Sequence, residues 1–164
     1  MKHILALVLS FSLLLPVFAQ EKKVPVQTEF FGLKFGTDRA HVTGTLDSLG
    51  VAYDVTDGQI FAKDMNLGNV YWTIATFAFI KSTFTRLWLF KQTRSDSETA
   101  SIMNLVCSAL KQKYPDITEH DKETLTYIDS DWNSVTFGGR DRMITLWYSW
   151  GDGTKVFQEA MNDF

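Results

Sequence analysis

Few residues of this 164-residue chain carry side chains suited to catalysis or metal binding, and their spacing assembles no site. His3 falls in the N-terminal segment that reads as a cleaved signal peptide, which leaves His41 and His120. Neither has a second His or a Cys at the spacing a tetrahedral metal site needs, so both read as solvent-facing polar residues. Cys107 is the single cysteine and lies in the apolar run Ile102-Met103-Asn104-Leu105-Val106-Cys107. It has no basic neighbour in sequence to lower its pKa and no second thiol to bond with, so a buried, inert thiol is expected. Asp129-Ser130-Asp131-Trp132-Asn133 imitates positions 1, 3 and 5 of a calcium loop. Position 6 would then be Ser134 where the loop needs Gly, and position 12 would be Arg140 where it needs Glu, so the segment reads as a polar turn. Carboxylate pairs such as Asp129 with Asp131 act in glycoside hydrolysis only at particular separations, which sequence proximity does not supply. The chain has no G-x-S-x-G, H-E-x-x-H, C-x-x-C or Gly-rich phosphate loop. The expectation is a protein that is not an enzyme, with no catalytic residue, no metal and no cofactor.

The chemistry that remains is recognition through aromatic surface. Aromatic residues make up 14% of the chain, and most of them lie between Phe77 and Trp150. With 45% hydrophobic residues and 16 Lys+Arg against 19 Asp+Glu, the composition excludes a disordered, collagen-like or disulfide-stapled protein. The slightly acidic balance also speaks against a nucleic-acid binder of the usual basic kind. If Lys81-Ser82 closes a two-residue hairpin, Phe79 pairs with Phe84 and Phe77 with Arg86. Alternation then places Phe77, Phe79, Phe84, Arg86, Trp88 and Phe90 on one face. Trp72, Ile74, Ala78, Leu87 and Leu89 fall on the other, which suits packing under helices. In the last strand Ile144, Leu146, Tyr148 and Trp150 point to the core, and Met143, Thr145 and Trp147 point outward. The candidate binding residues are therefore Phe77, Phe79, Phe84, Arg86, Trp88 and Trp147, since Trp, Tyr and Arg dominate protein-binding hot spots. The competing expectation is that the N-terminal arm, the C-terminal helix or a second protomer covers this face.

The elements that position these residues follow from periodicity. Thr37 is the expected N-cap of a first helix, with Asp38 at its positive end. Val42, Leu46 and Leu49 form one stripe, and Gly50 ends the helix. From Val51 to Lys91 the period becomes two: Val51 to Val55 and Gln59 to Lys63 flank Asp57-Gly58, and Val70 to Ile80 and Phe84 to Lys91 flank Lys81-Ser82. Ser95-Asp96-Ser97-Glu98 is a capping box opening a second helix that stops at Pro115. Three strands follow, near Thr124 to Ile128, Ser134 to Phe137 and Met143 to Trp150, with Gly138-Gly139-Arg140-Asp141 turning between the last two. Val156, Phe157, Ala160, Met161 and Phe164 have the spacing of a short C-terminal helix. The expected fold class is α+β: an antiparallel meander sheet with two helices on one face, ordered α-β(4)-α-β(3) plus the short C-terminal helix.

Residues 1–19 read as a secretory signal peptide. Lys2 and His3 form a basic start, Ile4 to Leu15 an apolar run interrupted only by Ser10 and Ser12, and Val17-Phe18-Ala19 a small-x-small cleavage site. A helix of that length rises only about 18 Å, against a hydrocarbon core of about 30 Å. No later stretch is long and apolar enough to span, so the mature chain is expected to lack a transmembrane segment. Residues 20–29 are expected to form a flexible arm and 30–164 a single domain. The expected location is the periplasm or the cell exterior, in soluble form after cleavage near Ala19.

The segment Phe31-Gly32-Leu33-Lys34-Phe35-Gly36-Thr37-Asp38, leading to a helix ended by Leu49-Gly50, resembles the opening of small exported bacterial domains. These are uncharacterised secreted proteins of gram-negative bacteria, the β-lactamase-inhibitor-protein-like fold and the SmpA/OmlA outer-membrane assembly lipoproteins. The resemblance implies helix-plus-meander units building a curved sheet whose aromatic open face grips a partner protein. The chain lacks the cysteine pairs of the inhibitors and the lipidated cysteine of the lipoproteins, so β-lactamase inhibition is not implied.

The functional expectation is an exported, non-catalytic binding module for a protein partner or for itself, with Trp88 and Trp147 as anchors and Arg86 giving polar specificity. The alternatives are a carbohydrate- or peptidoglycan-binding module of the cell envelope and a hydrolase without a recognisable motif.

Overall fold

Alternating apolar and polar residues dominate the chain, and they fold as strands. The computed structural model describes residues 23–121, 124–153, 156 and 161. The expected signal peptide lies outside the described residues. Gly153, Val156 and Met161 are helical, and the rest of the expected C-terminal helix lies outside them too. A short hairpin of β1 (Glu29–Phe30) and β2 (Leu33–Lys34) precedes helix α1 (Arg39–Ser48). A first meander follows: β3 (Tyr53–Thr56), β4 (Gln59–Leu67), β5 (Val70–Ile80) and β6 (Thr83–Gln92). Helix α2 (Asp96–Lys113) leads to a second: β7 (Thr118–Asp121), β8 (Thr124–Ile128), β9 (Ser134–Arg140) and β10 (Met143–Ser149). The meanders join through their last strands in one eight-stranded antiparallel sheet, ordered β3-β4-β5-β6-β10-β9-β8-β7.

This overturns the expected α+β class with its α-β(4)-α-β(3) order. The protein is mostly β, with 47% of the described residues in strands. The physical reason lies in the helices, which supply only Val42, Leu46, Val106 and Leu110 to the buried core. Two such positions per helix cannot close a sheet of this width, and the strands and the β1–β2 hairpin provide most of the core instead. The second meander also has a strand more than its sequence pattern shows. Thr118-Glu119-His120-Asp121 contains no apolar residue, because β7 is an edge strand with no buried alternation to leave a signature.

Local chemistry sets the helix starts. Asp38, one residue later than expected, caps α1 by accepting a hydrogen bond from the His41 backbone N–H at 2.8 Å. Thr37 instead donates its hydroxyl to the Lys34 carbonyl at 2.6 Å. At α2 the Ser95 hydroxyl accepts from the Glu98 N–H at 3.1 Å, and the Glu98 carboxylate accepts from the Arg94 N–H at 2.8 Å. That bond, with Lys91 nearby, holds the Glu98 carboxyl below its ordinary pKa, and the Arg142 guanidinium at 2.8 Å does the same for Asp96.

Both folded values lie below the unfolded ones, so their stabilisation is full above the unfolded pKa and is lost as pH falls through the folded one. The melting temperature should therefore hold from pH 7 to about pH 5 and drop below about pH 4. An Asp96→Asn, Glu98→Gln double variant should melt lower at pH 7 and lose less on acidification. Thermal melts of both proteins across this range check the point, and an unchanged acid slope would rule these carboxylates out.

The aromatic residues build the core. Phe84 lies at the centre, with ring centroids 4.9 Å from Phe35, 5.4 Å from Phe77 and 5.9 Å from Phe79. Phe30 packs 4.5 Å from Tyr148. Residues following the β1–β2 hairpin lie along the β5–β6 turn: the Gly36 N–H donates to the Phe84 carbonyl, the Phe84 N–H to Thr37, and the Arg39 N–H to Ser82. Gly138-Gly139, expected in a turn, lie inside β9, and Asp141-Arg142 turn instead, with φ of 50° and 61°. A Cβ on Gly139 would sit 2.6 Å from the Met103 sulfur, so this glycine admits α2 to the strand.

Residues 23–26 make contacts with the second meander. Val26 is buried and donates its N–H to Asp129, Tyr127 donates its hydroxyl to the Val24 carbonyl, and Lys23 reaches the Ile128 carbonyl. Among the described residues no helix is long and apolar enough to cross a membrane.

Candidate binding face

The candidate site depends on one inserted residue. At the Lys81-Ser82 turn Phe79 pairs with Phe84, as alternation predicts. The next pair is Ala78 with Arg86, followed by Phe77 with Leu87, so Thr85 is an extra residue in β6. Such a bulge reverses the facing of every later side chain in its strand. The Thr85 carbonyl accepts from the Trp150 N–H at 2.9 Å, and its hydroxyl donates to the Ala78 carbonyl at 3.4 Å.

The six residues predicted to share a face are therefore divided. Phe77 and Phe84 are fully buried and Phe79 nearly so, on the core side with Leu87 and Leu89. Arg86, Trp88 and Phe90 lie on the opposite, open side, joined by Ile74 and Ala78. Trp72, predicted to face the same way as Ile74, is buried while Ile74 is 37% exposed. The phase changes between the Ala62–Ala75 and Met65–Trp72 pairs, where Asp64 has a φ of 60°. In β10 alternation holds: Ile144, Leu146 and Tyr148 are buried, Met143 is exposed and Trp147 is 43% exposed.

Register assembles the open face into rows. Phe61 pairs with Thr76, Thr76 with Trp88, Trp88 with Trp147, Trp147 with Thr136 and Thr136 with Thr126. The Trp88 and Trp147 rings lie 6.4 Å apart, tilted by 42°. A parallel row runs from Ile74 through Phe90, Thr145 and Gly138 to Thr124. The face thus carries aromatic rings from β4, β6 and β10, with Ile74 and Thr76 of β5 between them, and is hydroxyl-rich over β8 and β9. Beside the tryptophans is a cleft of about 260 Å³, lined by Gln59, Phe61, Thr76, Arg86 and Trp88 among others. Arg86 is exposed, and no acidic side chain among the described residues pairs with it. Phe61, Thr76 and the threonine row escaped sequence reasoning because they join the site only through cross-strand register.

The residues first weighed for chemistry are placed elsewhere. His41 is exposed on α1 and His120 on β7. Among the described residues no group of three or more His, Cys, Asp or Glu side chains could hold a metal ion. Cys107 is half-buried on α2, and desolvation pushes its thiol pKa up, away from thiolate chemistry. Asp129, at the start of the calcium-like segment, is buried and already satisfied. One carboxylate oxygen accepts from the Asp131 and Asn133 N–H groups, each at 2.9 Å; the other accepts from the Val26 N–H at 2.8 Å and the Asn133 side-chain amide at 3.0 Å. Four donors surround this carboxylate, the reverse of what a cation site requires.

No family model, curated protein or solved structure matches this chain.

Proposed function

We propose that this protein is an exported, non-catalytic binding module acting in the periplasm or outside the cell, and that it grips a protein partner through the open sheet face. The observation that carries this reading is the Trp88–Trp147 pair, partly exposed side by side in one cross-strand row, with a nearby Arg86 that has no acidic partner among the described residues. Large rigid rings desolvate much area at little entropic cost, and an unpaired guanidinium offers a fork to a carboxylate. The partner chemistry that fits is a loop or strand presenting an apolar side chain to the Phe61–Trp88 cleft with an Asp or Glu over Arg86. The face would be the counterpart of the gripping face that the inhibitor-like resemblance implies.

The test is capture from envelope and culture-medium fractions on the immobilised mature chain, followed by titration of whatever is retained. Trp88→Ala and Arg86→Glu should each weaken a genuine partner, the former by about 30-fold or more, the loss expected of a hot spot. A partner held equally by wild type and both variants would remove this face from the reading. A glycan-array signal lost with Trp88→Ala, in the absence of a protein partner, would move the assignment to the carbohydrate alternative. A dimer in solution dissociated by Trp88→Ala would make the partner a second copy.

A further inference from the structure

We propose a second, separate site: a pocket for a free amphipathic monocarboxylate of about ten carbons, in the cleft between α2 and the turn joining β4 to β5. The cleft has a volume of about 280 Å³. An apolar cavity of about 150 Å³ accommodates benzene, so this space suits a body on the order of ten carbons. Buried Trp72 lies at its base and Val106 of α2 forms a wall. Leu105, 52% exposed, carries the apolar lining out to the surface.

Two polar groups single out a carboxylate. Lys113 lines the cleft and donates only to the Gln27 side-chain carbonyl at 3.3 Å; no carboxylate pairs with it among the described residues. Lys113 is exposed at the rim of the cleft with its ammonium 5.4 Å from the Tyr114 ring centroid, and desolvation lowers its pKa. Tyr148 also lines the cleft; the residue is only 6% exposed, and its hydroxyl keeps access to solvent. Burial raises its pKa far above the ordinary phenol value, so it remains a neutral O–H donor. A phenol donor that a ligand can reach, an ammonium without a carboxylate partner and an apolar trough together match an anion with an aliphatic tail. The volume is too small for the paired acyl chains of a phospholipid, so the ligand is a free acid.

Calorimetric titration of the full mature protein tests this with decanoate below its micellar concentration, beside decylammonium and vesicles of phosphatidylglycerol. One saturable decanoate site is expected, weakened at least about tenfold by Lys113→Glu. Ala109→Trp should abolish it: Ala109 lines the cleft and is itself exposed, so an indole there fills the mouth without entering the core. An unchanged melting temperature verifies that this variant is folded. Trp88→Ala should bind decanoate normally, which separates this site from the sheet face. The proposal is overturned if decanoate shows no saturable binding, if decylammonium binds as well, if both variants bind like wild type, or if vesicles bind where decanoate does not.

Discussion

Phe84→Ala is expected to destabilise the protein by about 3–5 kcal/mol, the usual range for truncating a fully buried phenylalanine, while Trp88→Ala should cost about 1 kcal/mol or less. By bare alternation the two residues are equivalent positions on one strand face. The Thr85 bulge makes them opposites: Phe84 is fully buried among Phe35, Phe77 and Phe79, and Trp88 lies on the open side. The Phe84 backbone also joins the Gly36–Thr37 segment to β6, so a cavity there loosens the first meander and the β1–β2 hairpin together. Urea unfolding of both variants measures the contrast. Similar losses for the two would mean that β6 has no bulge in solution, and the candidate face would have to be redrawn.

Asp129→Ala should cost about 3–4 kcal/mol. The substitution leaves the Val26, Asp131 and Asn133 N–H groups and the Asn133 side-chain amide without their acceptor. Each buried unsatisfied donor costs about 1–3 kcal/mol, and the turn recovers part of that by relaxing toward water. The damage should spread, because the Asn133 side-chain carbonyl accepts from the Gly151 N–H at 2.9 Å, tying the turn to the end of β10. A Cβ on Gly151 would overlap the Asp131 carbonyl, so the two segments pass in backbone contact. Asp129→Asn, which keeps one acceptor oxygen, should fall between wild type and Ala. Denaturant unfolding gives the stabilities, and limited proteolysis should show faster cleavage near Val26 once its N–H is released. A loss under about 1 kcal/mol would mean that water replaces the carboxylate freely.

By itself the sequence determined the features that local chemistry decides. Ser95 and Glu98 cap α2 as their spacing predicts, Asp57-Gly58 turns with φ of 49° and 73°, and Lys81-Ser82 turns with 47° and 70°. The inward Ile144, Leu146 and Tyr148 and the outward Met143 and Trp147 were legible because β10 keeps an unbroken alternation.

Tertiary structure alone decided which aromatics form a core and which form a surface. The inserted Thr85 has no signature of its own in sequence; its carbonyl is held by Trp150, and the strand beside it by Gly36 and Thr37, both distant along the chain. Likewise β7, without apolar residues, is a strand only because β8 offers it an edge, and the glycine pair in β9 reads as a turn until α2 is packed against it. The balance between sheet and helix was hidden for the same reason. A period reveals a segment's secondary structure, whereas burial depends on which segments meet, and a single-residue shift in that meeting reverses every side chain beyond it.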